Sequence, residues 1–108
     1  MAEYQTVGSL DDFPDGEMRQ VIAHGEPVAV FRRGPDVFAI SDICTHEETY
    51  LTEGEFDVDE LEVECHLHGS RFNVATGDVR ILPATKPIDT YTIKIEGGLV
   101  HVGPRNHR

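Results

Sequence analysis

The sequence has few basic residues, only two cysteines and no long apolar run. Nine Lys and Arg residues stand against 20 Asp and Glu residues in 108, which gives a formal net charge of −11. So acidic a chain is a poor partner for nucleic acid, because that binding depends on cations that neutralise phosphates. The longest uninterrupted apolar run, residues 27–31, is too short to span a membrane.

The first residues lack the basic and apolar regions of an export signal. We therefore expect a cytoplasmic protein. With 108 residues and 39% apolar content, the chain is long enough for one small domain with a modest core. Domains of this size often depend on a bound metal group for stability, and a monomer is the expected state.

The negative charge is concentrated in one part of the chain. Residues 1–67 carry a net charge of −14, whereas residues 68–108 carry +3. Two interpretations remain open: a solvated face that aids solubility, or a surface that attracts a partner with a basic patch. Nine acidic residues and no basic ones lie between His46 and Cys65: Glu47, Glu48, Glu53, Glu55, Asp57, Asp59, Glu60, Glu62 and Glu64.

Turn residues punctuate the chain at short intervals and predict an all-β fold of antiparallel strands. Tyr91, Ile93 and Ile95 alternate with polar residues, which is typical of a half-buried strand, and Gly97-Gly98 predicts a two-residue hairpin after it. Residues 9–16 are expected to be a turn-rich connector in which at most one helical turn starts, at Ser9. Residues 103–108 are expected to be a frayed tail. The other predicted strands are residues 3–7, 18–23, 28–32 and 37–41.

Two short strings hold the only two cysteines of the chain: Cys44-Thr45-His46 and Cys65-His66-Leu67-His68. Each string begins with one thiolate and ends with one imidazole. A mixed-ligand [2Fe–2S] centre has two cysteines on one iron and two histidines on the other. The strings therefore predict such a centre, bound by Cys44, His46, Cys65 and His68. Gly69 would let the backbone turn tightly beside the last of these ligands.

Three alternatives remain open at this point. A structural zinc site could use the same four residues, although such sites usually pair two cysteines and two histidines in separate motifs. A disulfide between Cys44 and Cys65 would leave the histidines unexplained. The pattern could also arise by chance among unrelated core residues.

The sequence around both strings resembles the Rieske ferredoxins of bacterial aromatic-ring dioxygenase systems. Residues 44–54, which end in Leu51-Thr52-Glu53-Gly54, are similar to their first cluster loop. Residues 65–73 and the following Thr76-Gly77 are similar to their second loop, and Pro83 to the proline-bearing loop that covers the cluster. The resemblance covers nearly the whole chain from Val28 onward.

This resemblance implies a Rieske-like antiparallel β-sandwich base with a small inserted cluster-binding subdomain, all within one domain of residues 1–108. We place the base at residues 1–41 and 84–104 and the subdomain at residues 42–83. Cys44 and Cys65 would bind the inner iron, and His46 and His68 the outer, more exposed iron. Leu51 and Pro83 would exclude water from the sulfides.

The chain also departs from the resemblance at two positions. His66 stands where many dioxygenase ferredoxins have proline, and we expect it to be a solvent-facing residue without a function. Ser70 is similar to a serine of high-potential Rieske proteins whose hydroxyl bonds a cluster sulfur, which would stabilise the reduced state. Arg71 and Arg80 are expected to balance neighbouring carboxylates.

The function implied is a one-electron carrier between a flavoprotein reductase that oxidises NAD(P)H and a terminal oxygenase that attacks an aromatic compound. The chain would be a component of that system and not itself an enzyme. A monooxygenase ferredoxin or a nitrite reductase small subunit is the alternative, because one fold can serve several partners. A zinc-stabilised interaction module is a further alternative.

Overall fold

The computed structural model describes residues 3–45, 48–67, 69–82 and 84–107. Two 3₁₀ turns, Leu10–Asp12 and Leu51–Glu53, accompany the strands, and no helix in these ranges is long and apolar enough to cross a membrane. The described residues form ten strands: β1 (Gln5–Ser9), β2 (Met18–Ala23), β3 (Glu26–Arg33), β4 (Asp36–Ser41), β5 (Glu55–Asp57), β6 (Glu62–Glu64), β7 (Arg71–Asn73), β8 (Val79–Ile81), β9 (Thr90–Glu96) and β10 (Leu99–Asn106).

All of these strands pair antiparallel, in two sheets. The larger sheet has the order β1-β10-β9-β4-β3-β2, and the smaller has the order β5-β6-β7-β8. The four strands of the smaller sheet lie between β4 and β9 in the sequence. The predicted all-β antiparallel fold is therefore confirmed. The exact boundaries proposed for the base and the subdomain stay a prediction.

Two-residue turns set the register of the larger sheet. Glu96 pairs with Leu99 across Gly97 and Gly98, whose φ angles are +59° and +75°. Both central residues of this tight turn need a positive φ, which glycine adopts at little cost. The hairpin predicted from Gly97-Gly98 is thus confirmed, and the connector after Ser9 forms the one helical turn expected there.

Strand β3 explains how the apolar run at residues 27–31 is used. Val28 and Val30 pack into one buried cluster, whereas Ala29 and Phe31 pack into the other. Successive side chains of a strand point to opposite faces, so a strand with both faces covered reads as a continuous apolar run. The cluster with Val28 and Val30 is formed mostly by residues of the larger sheet. The cluster with Ala29 and Phe31 joins residues of the larger sheet to residues of the smaller sheet.

The expected frayed tail is wrong for residues 103–106, because β10 continues to Asn106. Arg105 anchors this last stretch: its guanidinium donates to Asp89 at 2.7 Å, to Tyr91 Oη at 3.3 Å and to Glu26. Two smaller expectations also change. The first strand begins at Gln5, and Ile95 at the end of β9 is exposed.

Candidate metal centre

The first ligand string lies in a hairpin-like loop that follows β4. The backbone N–H of Cys44 donates to the carbonyl of Thr49 at 3.0 Å, and Ile43 forms an isolated bridge with Tyr50. The N–H of Leu51 closes the base of the loop on the carbonyl of Asp42 at 2.7 Å. His46 lies outside the described residues.

The second ligand string lies in the turn between β6 and β7. The N–H of Cys65 donates to the carbonyl of Ser70 at 2.8 Å, and the N–H of Gly69 donates back to the carbonyl of Cys65 at 3.0 Å. Gly69 has a φ of +76°, so this tight turn requires the left-handed conformation that glycine favours. His68 lies outside the described residues, as does Pro83.

Cys44 and Cys65 are both buried, and they belong to the same apolar cluster as Leu51. Their exposed fractions are 4% and 1%, and Leu51 is fully buried. Neither cysteine forms a disulfide, so the disulfide alternative is not realised in this structure. The fold thus brings two thiols into one dry, apolar environment, and a histidine follows each cysteine two or three residues later in the sequence.

Asp42 is the functional neighbour that sequence reasoning missed. It is fully buried, yet both of its carboxylate oxygens accept hydrogen bonds. Thr52 donates from its backbone N–H at 2.8 Å and from its hydroxyl at 2.7 Å, and the Gln20 side chain donates at 2.7 Å. Asp42 therefore ties the first ligand loop to β2. Nothing in the sequence marks this aspartate as buried, since its donors come from segments 10 and 22 residues away.

The structure shows why residues 44–54 end in a glycine, Gly54. A Cβ at this position would lie 1.8 Å from the carbonyl oxygen of Glu64, which no side chain can tolerate. Glu64 immediately precedes Cys65. The close approach of Gly54 to this backbone therefore holds the end of the first ligand loop against the start of the second.

The segment after β8 is tethered to both ligand loops. The buried hydroxyl of Ser70 accepts a hydrogen bond from the N–H of Ala84 at 2.9 Å. The hydroxyl of Thr45 donates to the carbonyl of Lys86 at 2.8 Å. These contacts tie residues 84–86 to both ligand loops. The residues come directly after Pro83 in the sequence, which the resemblance assigns to a covering loop.

Two arginines next to the loops form ion pairs with carboxylates. Arg71 contacts Asp57 at 3.1 Å and Glu62 at 3.2 Å, and Arg80 contacts Glu62 at 3.3 Å. The Arg71 Nε geometry at Glu62 makes an ion pair but not a hydrogen bond. The two arginines balance local carboxylates, as expected, and His66 is exposed.

The comparisons with known proteins identify the family. Residues 3–92 match the family described as Rieske [2Fe-2S] domain. The chain belongs to the Rieske [2Fe–2S] family. This Rieske protein is 37% identical over 102 residues to the anthranilate 1,2-dioxygenase ferredoxin subunit of Burkholderia cepacia, covering 94% of this chain and 93% of the other.

Two solved structures extend the likeness. The Rieske protein matches the ferredoxin of carbazole 1,9a-dioxygenase from Nocardioides aromaticivorans IC177 with a TM-score of 0.91 and 38% identity, over 94% and 97% of the two chains. It matches the ferredoxin in a complex of reduced oxygenase and oxidized ferredoxin in carbazole 1,9a-dioxygenase with a TM-score of 0.84 and 36% identity, covering 92% and 91%.

The described residues fit the cluster that this family binds. Thiolates are the preferred protein ligands of iron–sulfur clusters, and the two cysteines lie in an apolar cluster that keeps water away. The Rieske match assigns a [2Fe–2S] cluster of the mixed-ligand type, so the zinc module is not supported. Because relatives of this length are named ferredoxin subunits, the Rieske protein is an electron-transfer component and not a catalytic enzyme.

Proposed function

We propose that this Rieske protein is the ferredoxin of a bacterial aromatic-ring dioxygenase system. It receives one electron from a flavoprotein reductase and delivers it to the terminal oxygenase. The observation that carries this proposal is the burial of Cys44 and Cys65 in one apolar cluster, each at the start of its own ligand loop. The names of similar full-length proteins favour a dioxygenase system over the other oxidoreductases.

In this proposal Cys44 and Cys65 bind the inner iron, and His46 and His68 bind the outer iron. The bound cluster takes up and releases one electron at a time. Leu51 and Pro83 exclude water from the sulfides, Gly69 shapes the second loop, and Ser70 holds the covering segment and adjusts the reduction potential. The base corresponds to residues 1–41 and 84–104, and the cluster-binding subdomain to residues 42–83.

The negative net charge of the chain favours binding to partners that have basic surfaces. Complementary fields speed encounter and orient the partners, and weak redox complexes use small interfaces that form and separate quickly. The reductase, a monomeric ferredoxin and a cytoplasmic location are parts of the same proposal. Size-exclusion chromatography and cell fractionation test the last two.

The ligand set is tested by purifying the protein without oxygen and measuring iron, acid-labile sulfide and the visible spectrum. We expect His68→Ala to lose the cluster, because one iron then lacks a ligand. The matched control is His66→Ala, which removes an exposed histidine of the same loop and should keep a full complement of sulfide. A His68→Ala protein with an unchanged spectrum would refute the ligand assignment.

The carrier role is tested by mixing the chemically reduced protein with the oxidised oxygenase of the carbazole 1,9a-dioxygenase system of Nocardioides aromaticivorans IC177, whose ferredoxin it is similar to. Stopped-flow absorbance should show that the ferredoxin is reoxidised as the oxygenase is reduced, one electron for each ferredoxin. The role is wrong if the reduced protein stays reduced in the presence of this and other aromatic-ring oxygenases.

A further inference from the structure

A groove of about 400 Å³ opens beside the first ligand loop. Its floor includes two large side chains that are accessible to a partner, with exposed fractions of 45% for Ile43 and 44% for Tyr50. Two carboxylates flank them. The described residues that line the groove are Ile43, Glu48, Thr49, Tyr50 and Glu53.

The chemistry of this groove suits a long cationic side chain. Lysine and arginine have an apolar stem that packs on apolar surface and a charged head that stays near polar groups. The Tyr50 ring and the Ile43 side chain can contact the stem, while Glu48 and Glu53 can pair with the head. A cation close to the face of a tyrosine ring gains a further attraction. In the part of the chain that the structure describes, no basic side chain forms an ion pair with either glutamate.

The groove is built by the same backbone contacts that shape the ligand loop. The bridge between Ile43 and Tyr50 and the hydrogen bond from Cys44 N–H to the Thr49 carbonyl hold its two sides together. These two contacts fix the backbone on both sides of the groove before a partner side chain enters, and preorganisation of this kind increases affinity. Ile43 is directly next to the ligand Cys44, so an occupant of the groove lies beside the cluster site.

We propose that this groove receives a lysine or arginine side chain of the terminal oxygenase when the two proteins dock. The inference rests on the proposed function. The net charge of −11 favours a basic partner, and a similar ferredoxin has been solved in a complex with its oxygenase. An arginine in a pocket near the centre of an interface is a common source of most of the binding energy. The groove thus acts as an anchor that positions the oxygenase next to the first ligand loop.

The charged half of the groove is tested with Glu48→Gln/Glu53→Gln in the cluster-loaded protein. The assay is electron transfer to the oxygenase of the carbazole 1,9a-dioxygenase system of Nocardioides aromaticivorans IC177. We expect the KM for the ferredoxin to rise about tenfold at low ionic strength, and the rise to shrink in high salt.

The matched control is Asp11→Asn/Glu17→Gln. It removes two exposed carboxylates that form no hydrogen bond or ion pair among the described residues. The backbone N–H of Leu10 donates to the carbonyl of Gly98, and the backbone N–H of Arg32 donates to the carbonyl of Glu17. The two substituted positions of the control therefore lie at the end of the larger sheet away from the ligand loops. This variant has the same net charge as the groove variant, and its KM should change less than about twofold because its charges lie far from the interface. The visible spectrum and the reduction potential of both variants are measured to show that the cluster is intact.

The apolar half of the groove is tested with Tyr50→Ser and Tyr50→Phe. The serine removes the ring surface and should raise the KM about fivefold, whereas phenylalanine keeps the ring and should leave the KM within about twofold. Thermal unfolding and the cluster spectrum verify that both variants fold. If serine and phenylalanine behave alike, the ring does not contact the partner and the proposal is wrong.

The outcomes separate this inference from the carrier role. If the wild-type protein transfers electrons and the groove and control variants have equal KM values, the anchor is excluded and the carrier role stands. If the groove variants raise the KM for a flavoprotein reductase but not for the oxygenase, the groove belongs to the other partner and the assignment is overturned. If the wild-type protein reduces no oxygenase, both proposals fail.

Discussion

Asp42 and Thr52 form two hydrogen bonds at the base of the first ligand loop, one from the threonine backbone and one from its hydroxyl. Because Asp42 is fully buried, these donors replace the water that its carboxylate loses on folding. The pair fixes the chain direction just before Cys44 and just after Leu51. Positioning of the ligand loop thus depends on a polar contact inside an otherwise apolar core.

Thr52→Val removes the hydroxyl while keeping the shape of the side chain. Hydrogen bonds to charged groups contribute about 1.5–3 kcal/mol, so the free energy of unfolding should fall by that amount. Urea unfolding followed by circular dichroism measures the change. Thr52→Ser, which retains the hydroxyl, should lose about 1 kcal/mol or less. Equal stability of the valine variant and the wild type would show that the contact contributes nothing.

Gly54→Ala should prevent the two ligand loops from lying side by side. The added Cβ would meet the Glu64 carbonyl at 1.8 Å, and backbone there cannot move without displacing Cys65. We expect a loss of about 3 kcal/mol or more, together with poor cluster retention measured as sulfide per chain. Gly16→Ala is the comparison, because that site is open but has a φ of +80°. It should cost about 1–2 kcal/mol and keep the cluster.

Ser70→Ala should loosen the segment that follows Pro83. The substitution leaves the buried N–H of Ala84 without its acceptor, which costs about 1–3 kcal/mol. Hydrogen exchange at Ala84 should become faster. Thr45→Val cuts the exposed tether to Lys86 instead and should cost no more than about 1 kcal/mol. A slow, unchanged exchange rate at Ala84 in the Ser70→Ala protein would contradict the tether.

Ser70→Ala also tests the role of this hydroxyl in the reduction potential. A hydroxyl that accepts from Ala84 still has its own proton to donate. If that proton bonds a cluster sulfur, as the resemblance implies, it stabilises the reduced state, and the alanine variant should have a lower potential in protein-film voltammetry. An unchanged potential would limit Ser70 to holding the covering segment.

Tyr91 should make the folded protein less stable at alkaline pH. Burial raises the pKa of Tyr91 above its ordinary 10.0, although the neighbouring Arg105 partly opposes the rise. The folded protein therefore holds the phenolic proton more tightly than the unfolded chain does. The stability that protonated Tyr91 contributes is fully present below about pH 10 and is lost as the pH rises through the raised pKa of Tyr91.

Thermal unfolding between pH 8 and pH 11 measures this effect, with Tyr91→Phe as the control. Arg105 stays charged over this range, because its pKa lies above the ordinary value for arginine: burial lowers it, but the hydrogen bond to Asp89 and nearby negative charges raise it by more. The phenylalanine variant should show a smaller fall in unfolding temperature above pH 10. Identical slopes for the two proteins would mean that Tyr91 does not contribute.

Features that depend on neighbouring residues could be predicted from the sequence. The two ligand strings specify soft and imidazole donors within three residues of each other, and Gly97-Gly98 specifies a tight hairpin through its positive φ angles. The strand predicted at residues 28–32 falls within β3, but the burial of both its faces appears only in the structure. The alternation of Tyr91, Ile93 and Ile95 predicted β9, although its far end is exposed.

Features that depend on residues far apart in the chain could not be predicted from the sequence. The last part of the C-terminal strand, residues 103–106, is anchored where Arg105 reaches Asp89 and Glu26, which lie 16 and 79 residues away. The sequence alone gives no reason for the glycine at position 54. The reason is the close approach of Gly54 to Glu64, which arises only when the two ligand loops pack together.

The sequence by itself determined the all-β class, the four candidate ligands and the acidic character of the chain, because residue type and spacing carry that information locally. The tertiary structure alone decided that Asp42 is buried, that the covering segment is tethered at Ser70 and Thr45, and that a groove lies beside Cys44. These three arise from packing between segments far apart in the chain. Burial and hydrogen bonding there are properties of the whole fold and not of any stretch of sequence.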